Sequence, residues 1–199
     1  MARPRTFDRE QVLTAATELF WRRGFHATSA EELCQATGLG RSSLYNTFGS
    51  KGALFSECLA RYLDATARAT AEVIAKKGDA VSRIEAYLTK VVLEEAERSS
   101  TGAPSGCLAV NSVAELAGDT GNAEFLEQVA RDTDARLRLL TDLLRAGQAA
   151  GEVTAEVPAE GLAAYVNASV AGLRISAQGG APLARLADIV QAAARALRP

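Results

Sequence analysis

Between Gly40 and Gly52 the chain reads GRSSLYNTFGSKG, and the residues able to do chemistry crowd into it. Arg41, Ser42, Ser43, Tyr45, Asn46, Thr47 and Lys51 put seven hydrogen-bonding side chains into eleven positions. At about 100° per helical residue, Leu44 and Phe48 share one side, and Ser42 and Asn46 project from the other. Ser43 and Tyr45 flank that outer face, which is small, flat and polar, with one aromatic hydroxyl at its edge. A partner protein would want larger anchors. A major groove suits such a face, because a helix must approach closely there and exchange hydrogen bonds with base edges and phosphates. Lys51 falls in the first turn of the next helix, where its charge and free backbone N–H groups together could hold a phosphate.

Cys107 is the other residue with reactive potential. It follows Ser105–Gly106 and opens a helix, where free amides and the helix dipole favour a thiolate. One use is reversible modification by electrophiles or oxidants; the other reading is a small hydrophobe packed under a loop. Cys34 and Cys58 sit beside apolar positions and read as structural. Three widely spaced cysteines without a Cys-x-x-Cys, and the single histidine His26, argue against a disulfide framework, a zinc cluster and a His-paired nucleophile. The chain shows no Gly-rich phosphate loop, no G-x-S-x-G elbow and no acid/base pair at recognisable spacing. No catalytic residue, metal site or cofactor is therefore expected, and the chain does not read as an enzyme.

The elements that must position these residues are all helical. Alternation of the strand type is absent, and about nine helices and no sheet are expected. Asp8 with Gln11 and Ser29 with Glu32 have capping-box spacing, Gly24 and Gly38 close the first two helices, and TGLG turns into the short helix 41–48. Ser50 is placed to cap a long helix running towards Lys77. Further helices are expected at 81–98, 108–116, about 126–144, 159–178 and 182–197, with loops at 99–106 and 118–121. Residues 1–52 carry seven basic against five acidic residues, a net +2, which leaves −4 for the rest of a chain whose net charge is −2. That division permits a DNA-binding head at 1–52 on a larger unit at 53–199. No apolar run reaches the roughly 18 residues of a membrane span, and the basic N-terminus lacks a signal-peptide core. A cytoplasmic protein without membrane contact is expected.

VLTAATELFWRRGFHATSAEELCQATGLGRSSLYNTFGSKGALF, residues 12–55, resembles the N-terminal domain of the TetR family of bacterial transcriptional regulators. The resemblance rests on Ala15–Ala16, Leu19–Phe20, Gly24–Phe25, Thr28–Ser29, Gly38, Leu44–Tyr45, Phe48 and Ser50–Lys51. It implies a dimeric regulator, usually a repressor, which a small-molecule effector releases from a palindromic double-stranded DNA operator. By position, Thr28, Tyr45 and Lys51 match residues that hold the DNA backbone, and Arg41, Ser42, Ser43 and Asn46 match positions that meet bases. Thr47 departs from the pattern, since many members have His there; a Thr hydroxyl still donates to phosphate. An activator of the same fold, or a helical dimeric sensor working through a protein partner, are the alternatives. Arg3 and Arg5 precede the first helix, as an arm for DNA or as solubilising charge.

The later segments GCLAVNSVAEL, GQAAGEV and VAGLRISAQGG resemble one broad group of such regulators and name no ligand. Leu162, Tyr165, Val166, Ser169, Val170 and Leu173 form one apolar stripe; Leu183, Leu186, Val190, Ala193 and Leu197 form another. They read as a homodimer interface through the last two helices, or else as cover for the core of one chain. An effector cavity is expected among the helices at 53–77, 81–98, 107–117 and 159–178. Its candidate lining is Tyr62, Tyr87, Cys107, Asn111, Phe125, Tyr165 and Asn167, and its expected ligand is largely apolar or electrophilic. The helix from Ser50 onward is the expected lever between cavity and reader.

Overall fold

The computed structural model describes residues 7–199; Arg3 and Arg5 lie outside that range. The described residues form nine α-helices and one 3-10 turn, with no strand. Helix α1 (Arg9–Arg23) starts on Asp8, which accepts from the amides of Glu10 and Gln11, and stops at Gly24. α2 (Ala30–Thr37) opens on a reciprocal capping box. Ser29 Oγ accepts from the Glu32 amide, and the Glu32 carboxylate accepts from the Ser29 amide. Gly38 takes the left-handed conformation, φ 68°, that lets the chain turn sharply into α3 (Arg41–Phe48). Ser50 then caps α4 (Lys51–Ile74).

The helices α5 (Ala80–Thr101), α6 (Leu108–Leu116), α7 (Ala123–Ala149), α8 (Ala159–Gln178) and α9 (Leu183–Ala196) complete the chain. The loop expected at 99–106 begins only at Gly102. Ser100 and Thr101 donate their hydroxyls back to the Glu97 carbonyl and continue the helix, against their usual preference. The turn before α7 is partly a 3-10 turn, Thr120–Asn122, fixed by Asp119 accepting from the Gly121 amide.

Two apolar cores stack along α4. The lower one joins Phe20, Leu33, Leu44 and Phe48 of α1–α3 to Phe55 of α4, and it does not stop at residue 52. Leu108, Leu116, Phe125 and Val129 from α6 and α7 close it. The upper one holds Val73 and Ile74 with the inner faces of α5, α7, α8 and α9. Here the stripes expected to meet a second subunit find their partners within one chain: Leu162, Val166, Leu173, Leu186, Val190, Ala193 and Leu197 are all at most 5% exposed. Periodicity cannot tell an inner from an outer side on a helix that is apolar nearly all round. What α8 leaves outward is Ala164, Tyr165, Ala168, Gly172 and Ile175, with Tyr165 41% and Ile175 56% exposed.

Candidate nucleic-acid interface and effector cavity

Burial of Leu44 and Phe48 orients α3. Arg41, Ser42, Ser43 and Asn46 are left exposed, and Tyr45 and Thr47 half-buried. The helix starts on Gly40, which offers no side-chain cap, so the first-turn amides remain open to an anion. The Arg41 guanidinium lies 5.9 Å from the centre of the Tyr45 ring. Thr47 donates to the Ser43 carbonyl at 2.7 Å, so its proton is engaged within the helix and its lone pairs are what it offers outward.

Thr28 and Lys51, matched by position to residues that hold the DNA backbone, both turn polar atoms inward. Thr28 is 1% exposed, and its hydroxyl donates to the Gly24 carbonyl at 2.6 Å. Lys51 Nζ donates to the carbonyls of Phe25 (2.9 Å) and Thr28 (3.0 Å) and stands 4.5 Å over the Phe25 ring. The loop between α1 and α2 ends in carbonyls that need donors, and the ammonium supplies them. One of its three N–H groups is left for a phosphate.

The same loop is gripped from below. Both Glu115 carboxylate oxygens, on α6, accept backbone hydrogen bonds, from Phe25 N at 2.9 Å and His26 N at 2.7 Å. Gly24, at φ 83°, makes room for this: a Cβ there would lie 2.6 Å from Glu115 Oε2. His26 faces this junction, 3.8 Å from Asp119.

Above the junction α4–α8 and Trp21 line a partly open cavity of about 570 Å³. Tyr62, Tyr87, Cys107 and Asn167 line it, as expected; Asn111, Phe125 and Tyr165 do not. Val110, Val113 and Ala114 are the α6 side that faces the cavity, and Asn111 is turned off it. Phe125 packs instead against Phe25 and Phe55, with ring centres 5.2 and 4.9 Å away. Tyr165 is on the outer side of α8. Cys107 is the N-cap of α6 and accepts a hydrogen bond from Tyr62 Oη at 3.2 Å. Burial holds the Tyr62 phenol well above its ordinary pKa, so it remains a neutral donor. Cys58 is the contrasting case: fully buried, its thiol is pushed up to about 11 and stays inert.

The wall is more charged than expected, with Lys90, Glu94, Arg98, Asp132, Arg136 and Arg174 all on it. Glu95, 3% exposed, lies behind. It accepts from Arg98 (2.8 Å), Arg174 (2.6 Å) and the Gly106 amide (2.8 Å). Glu94 accepts from Lys90 and, at 2.7 Å, from Arg174. Arg136 donates to Asp132 (2.8 Å) and Asn167 (3.0 Å).

Residues 12–58 match the family described as bacterial regulatory proteins, tetR family, and residues 80–198 match the tetracyclin repressor-like C-terminal domain. The chain belongs to the TetR family. The HTH-type transcriptional repressor ComR of Escherichia coli (strain K12) is 31% identical over 188 residues, covering 94% of this chain and 87% of ComR. The uncharacterized HTH-type transcriptional regulator YezE of Bacillus subtilis (strain 168) is 31% identical over 196 residues, 96% of each chain. Among solved structures, a cysteine mutant of the TetR family transcriptional regulator CifR, complexed with a 26-bp double-strand operator DNA, superposes with a TM-score of 0.86. It is 32% identical, and the match covers 98% of this chain and 100% of that one. This TetR-family chain is accordingly a DNA-binding transcriptional regulator.

Three features of this TetR-family protein escaped the sequence reading. Trp21 reaches the cavity, its indole N–H donating to the Ser105 carbonyl at 3.2 Å and its ring beneath Arg98 at 4.8 Å. The charge network was visible in part, because Glu95 falls on the Leu88–Val91–Val92 stripe and Arg174 interrupts an apolar helix. A charge on a buried stripe calls for a buried partner. Glu115 had no signal, since its partners are backbone amides 90 and 89 positions away.

Proposed function

We propose that the protein is a homodimeric repressor that a small-molecule effector releases from a palindromic operator. The observation that carries this reading is α3: a two-turn helix, pinned by Leu44 and Phe48, with a flat polar face, in a chain of the same fold as the operator-bound relative. Arg41, Ser42, Ser43 and Asn46 meet base edges, and Tyr45 and the third N–H of Lys51 meet phosphates, whereas Thr47, its proton held by the Ser43 carbonyl, has no donor for a phosphate in this rotamer. Thr28 acts through the loop it braces. The outer small-residue face of α8, with α9 beside it, forms the dimer, since a reader this short requires two half-sites. The protein works in the cytoplasm, and its two functional units divide near residue 52.

Tyr62, Tyr87, Cys107 and Asn167 belong to the effector site. α6 couples it to DNA, because Val110, Val113 and Ala114 face the cavity while Glu115 holds the head. An effector that displaces α6 or α4 shifts the population away from dimers whose readers fit successive grooves.

Fluorescence anisotropy with DNA from upstream of its own gene tests the reading. Saturable binding of two chains per site is expected, persisting under excess random DNA, and Tyr45→Ala should weaken it at least about tenfold. Binding that random DNA abolishes, or that Tyr45→Ala leaves unchanged, would sink the proposal. The cavity-facing position of Cys107 favours a second reading, an electrophile-sensing thiol. Mild alkylation at neutral pH should modify Cys107 and spare Cys58; an unreactive Cys107 ends the sensor idea.

A further inference from the structure

We propose that the cavity takes a small organic carboxylate, an anionic head on an apolar body, with the head seated at Lys90, Arg98 and Arg174. This rests on the reading of the cavity as the effector site. The cluster there contains three cations, Lys90, Arg98 and Arg174, and two carboxylates, Glu94 and Glu95. Asp132, the other acid of the wall, is matched by Arg136. One positive charge is therefore uncompensated, in a cluster whose side chains run from 2% exposed at Glu95 and 8% at Arg174 to 33% at Lys90. An unbalanced charge in such surroundings favours uptake of a counter-ion.

The hydrogen-bond inventory points the same way. Each carboxylate oxygen already accepts: Glu95 Oε1 from Arg98 and Arg174, Glu95 Oε2 from Gly106, Glu94 Oε1 from Lys90, and Glu94 Oε2 from Arg174. The donors are not exhausted. The Lys90 ammonium has three N–H groups and one carboxylate partner, and each guanidinium has five. The unused N–H groups of the three cations outnumber the lone pairs left on the two carboxylates, which suits a ligand that brings acceptor oxygens and a negative charge. Val91, Val110, Val113, Val129 and Val170 supply apolar wall for its body. The volume, about 570 Å³, lies within the roughly 300–1,000 Å³ of pockets that enclose small organic ligands.

Trp21 is the single tryptophan of the chain and stands in the cavity wall, so its emission reports occupancy directly. The full-length protein is titrated at neutral pH with decanoate, methyl decanoate and decanol, each kept below its aggregation threshold. Phenylbutyrate and its methyl ester serve as a second matched pair. A saturable change is expected with at least one carboxylate, at an affinity at least about tenfold tighter than its neutral counterparts. Lys90→Met should remove that preference, and Lys90→Arg should retain it. The Lys90 side chain is 33% exposed, so neither change cuts into the core. Neutral analogues binding as well as the carboxylates, no saturable change with any probe, or an undiminished preference in Lys90→Met would each overturn the proposal. Operator release is read separately by anisotropy. A carboxylate that fills the cavity without releasing DNA leaves this ligand chemistry standing and counts against the effector reading.

Discussion

Glu95→Ala is expected to cost about 3–5 kcal/mol of folding stability, the range for removing one partner of a buried ion pair. Glu95 is 3% exposed and Arg174 7%, so water cannot replace the lost carboxylate. The substitution leaves Arg174 with Glu94 as its one carboxylate partner, removes the Glu95 bond from Arg98 and leaves the Gly106 amide without its acceptor. Glu95→Gln keeps acceptor capacity without charge and should fall between wild type and alanine. Urea unfolding of the three proteins checks this, and a loss below about 1 kcal/mol for alanine would show that the network relaxes around the gap. Acid acts on the same cluster. Burial raises the Glu94 carboxyl pKa, but hydrogen bonds from Lys90 and Arg174 outweigh it and hold the group below its ordinary value. That contribution is present at neutral pH and is lost as pH falls below the ordinary carboxylate range through the lowered value.

Glu115→Ala should loosen the head from the body. Two charge-assisted hydrogen bonds, at 2.9 and 2.7 Å, end on backbone amides of the α1–α2 loop. Bonds to charged groups are worth roughly 1.5–3 kcal/mol each, and the half-exposed position of His26 lets water recover part of one. A net loss of about 2–3 kcal/mol is expected, with amide exchange at Phe25 and His26 accelerated at least about tenfold. Glu115→Gln has one acceptor oxygen and should release one of the two amides. Unchanged exchange at both positions would mean that the loop is held by Lys51 alone, and that α6 does not reach the DNA head through this carboxylate.

Most of the helix ends were legible in the sequence because caps are local chemistry. Ser29 with Glu32, Ser50, Gly24 and Gly38 satisfy or terminate backbone groups within a few residues of themselves. The outward set on α3 was legible for the same reason, since two buried residues four apart fix the rotation of so short a helix. Family membership was likewise written in the order of residues 12–55.

What lay beyond reach depended on which helix packs on which. Phe125 was expected in the cavity, and the aromatic cluster with Phe25 and Phe55 claims it for the lower core. The bonds from Thr28 and Lys51 to the carbonyls of Gly24, Phe25 and Thr28 likewise carry no signal in spacing. The stripes on α8 and α9 were consistent with either side of a helix, and packing on α5 and α7 chose the inner one. Residue types and spacing alone therefore determined the helices, most of their caps and the outward polar face of α3. Only the tertiary structure decided the cavity's charge and the Glu115 clamp, because both join residues whose sequence separation carries no periodic signal.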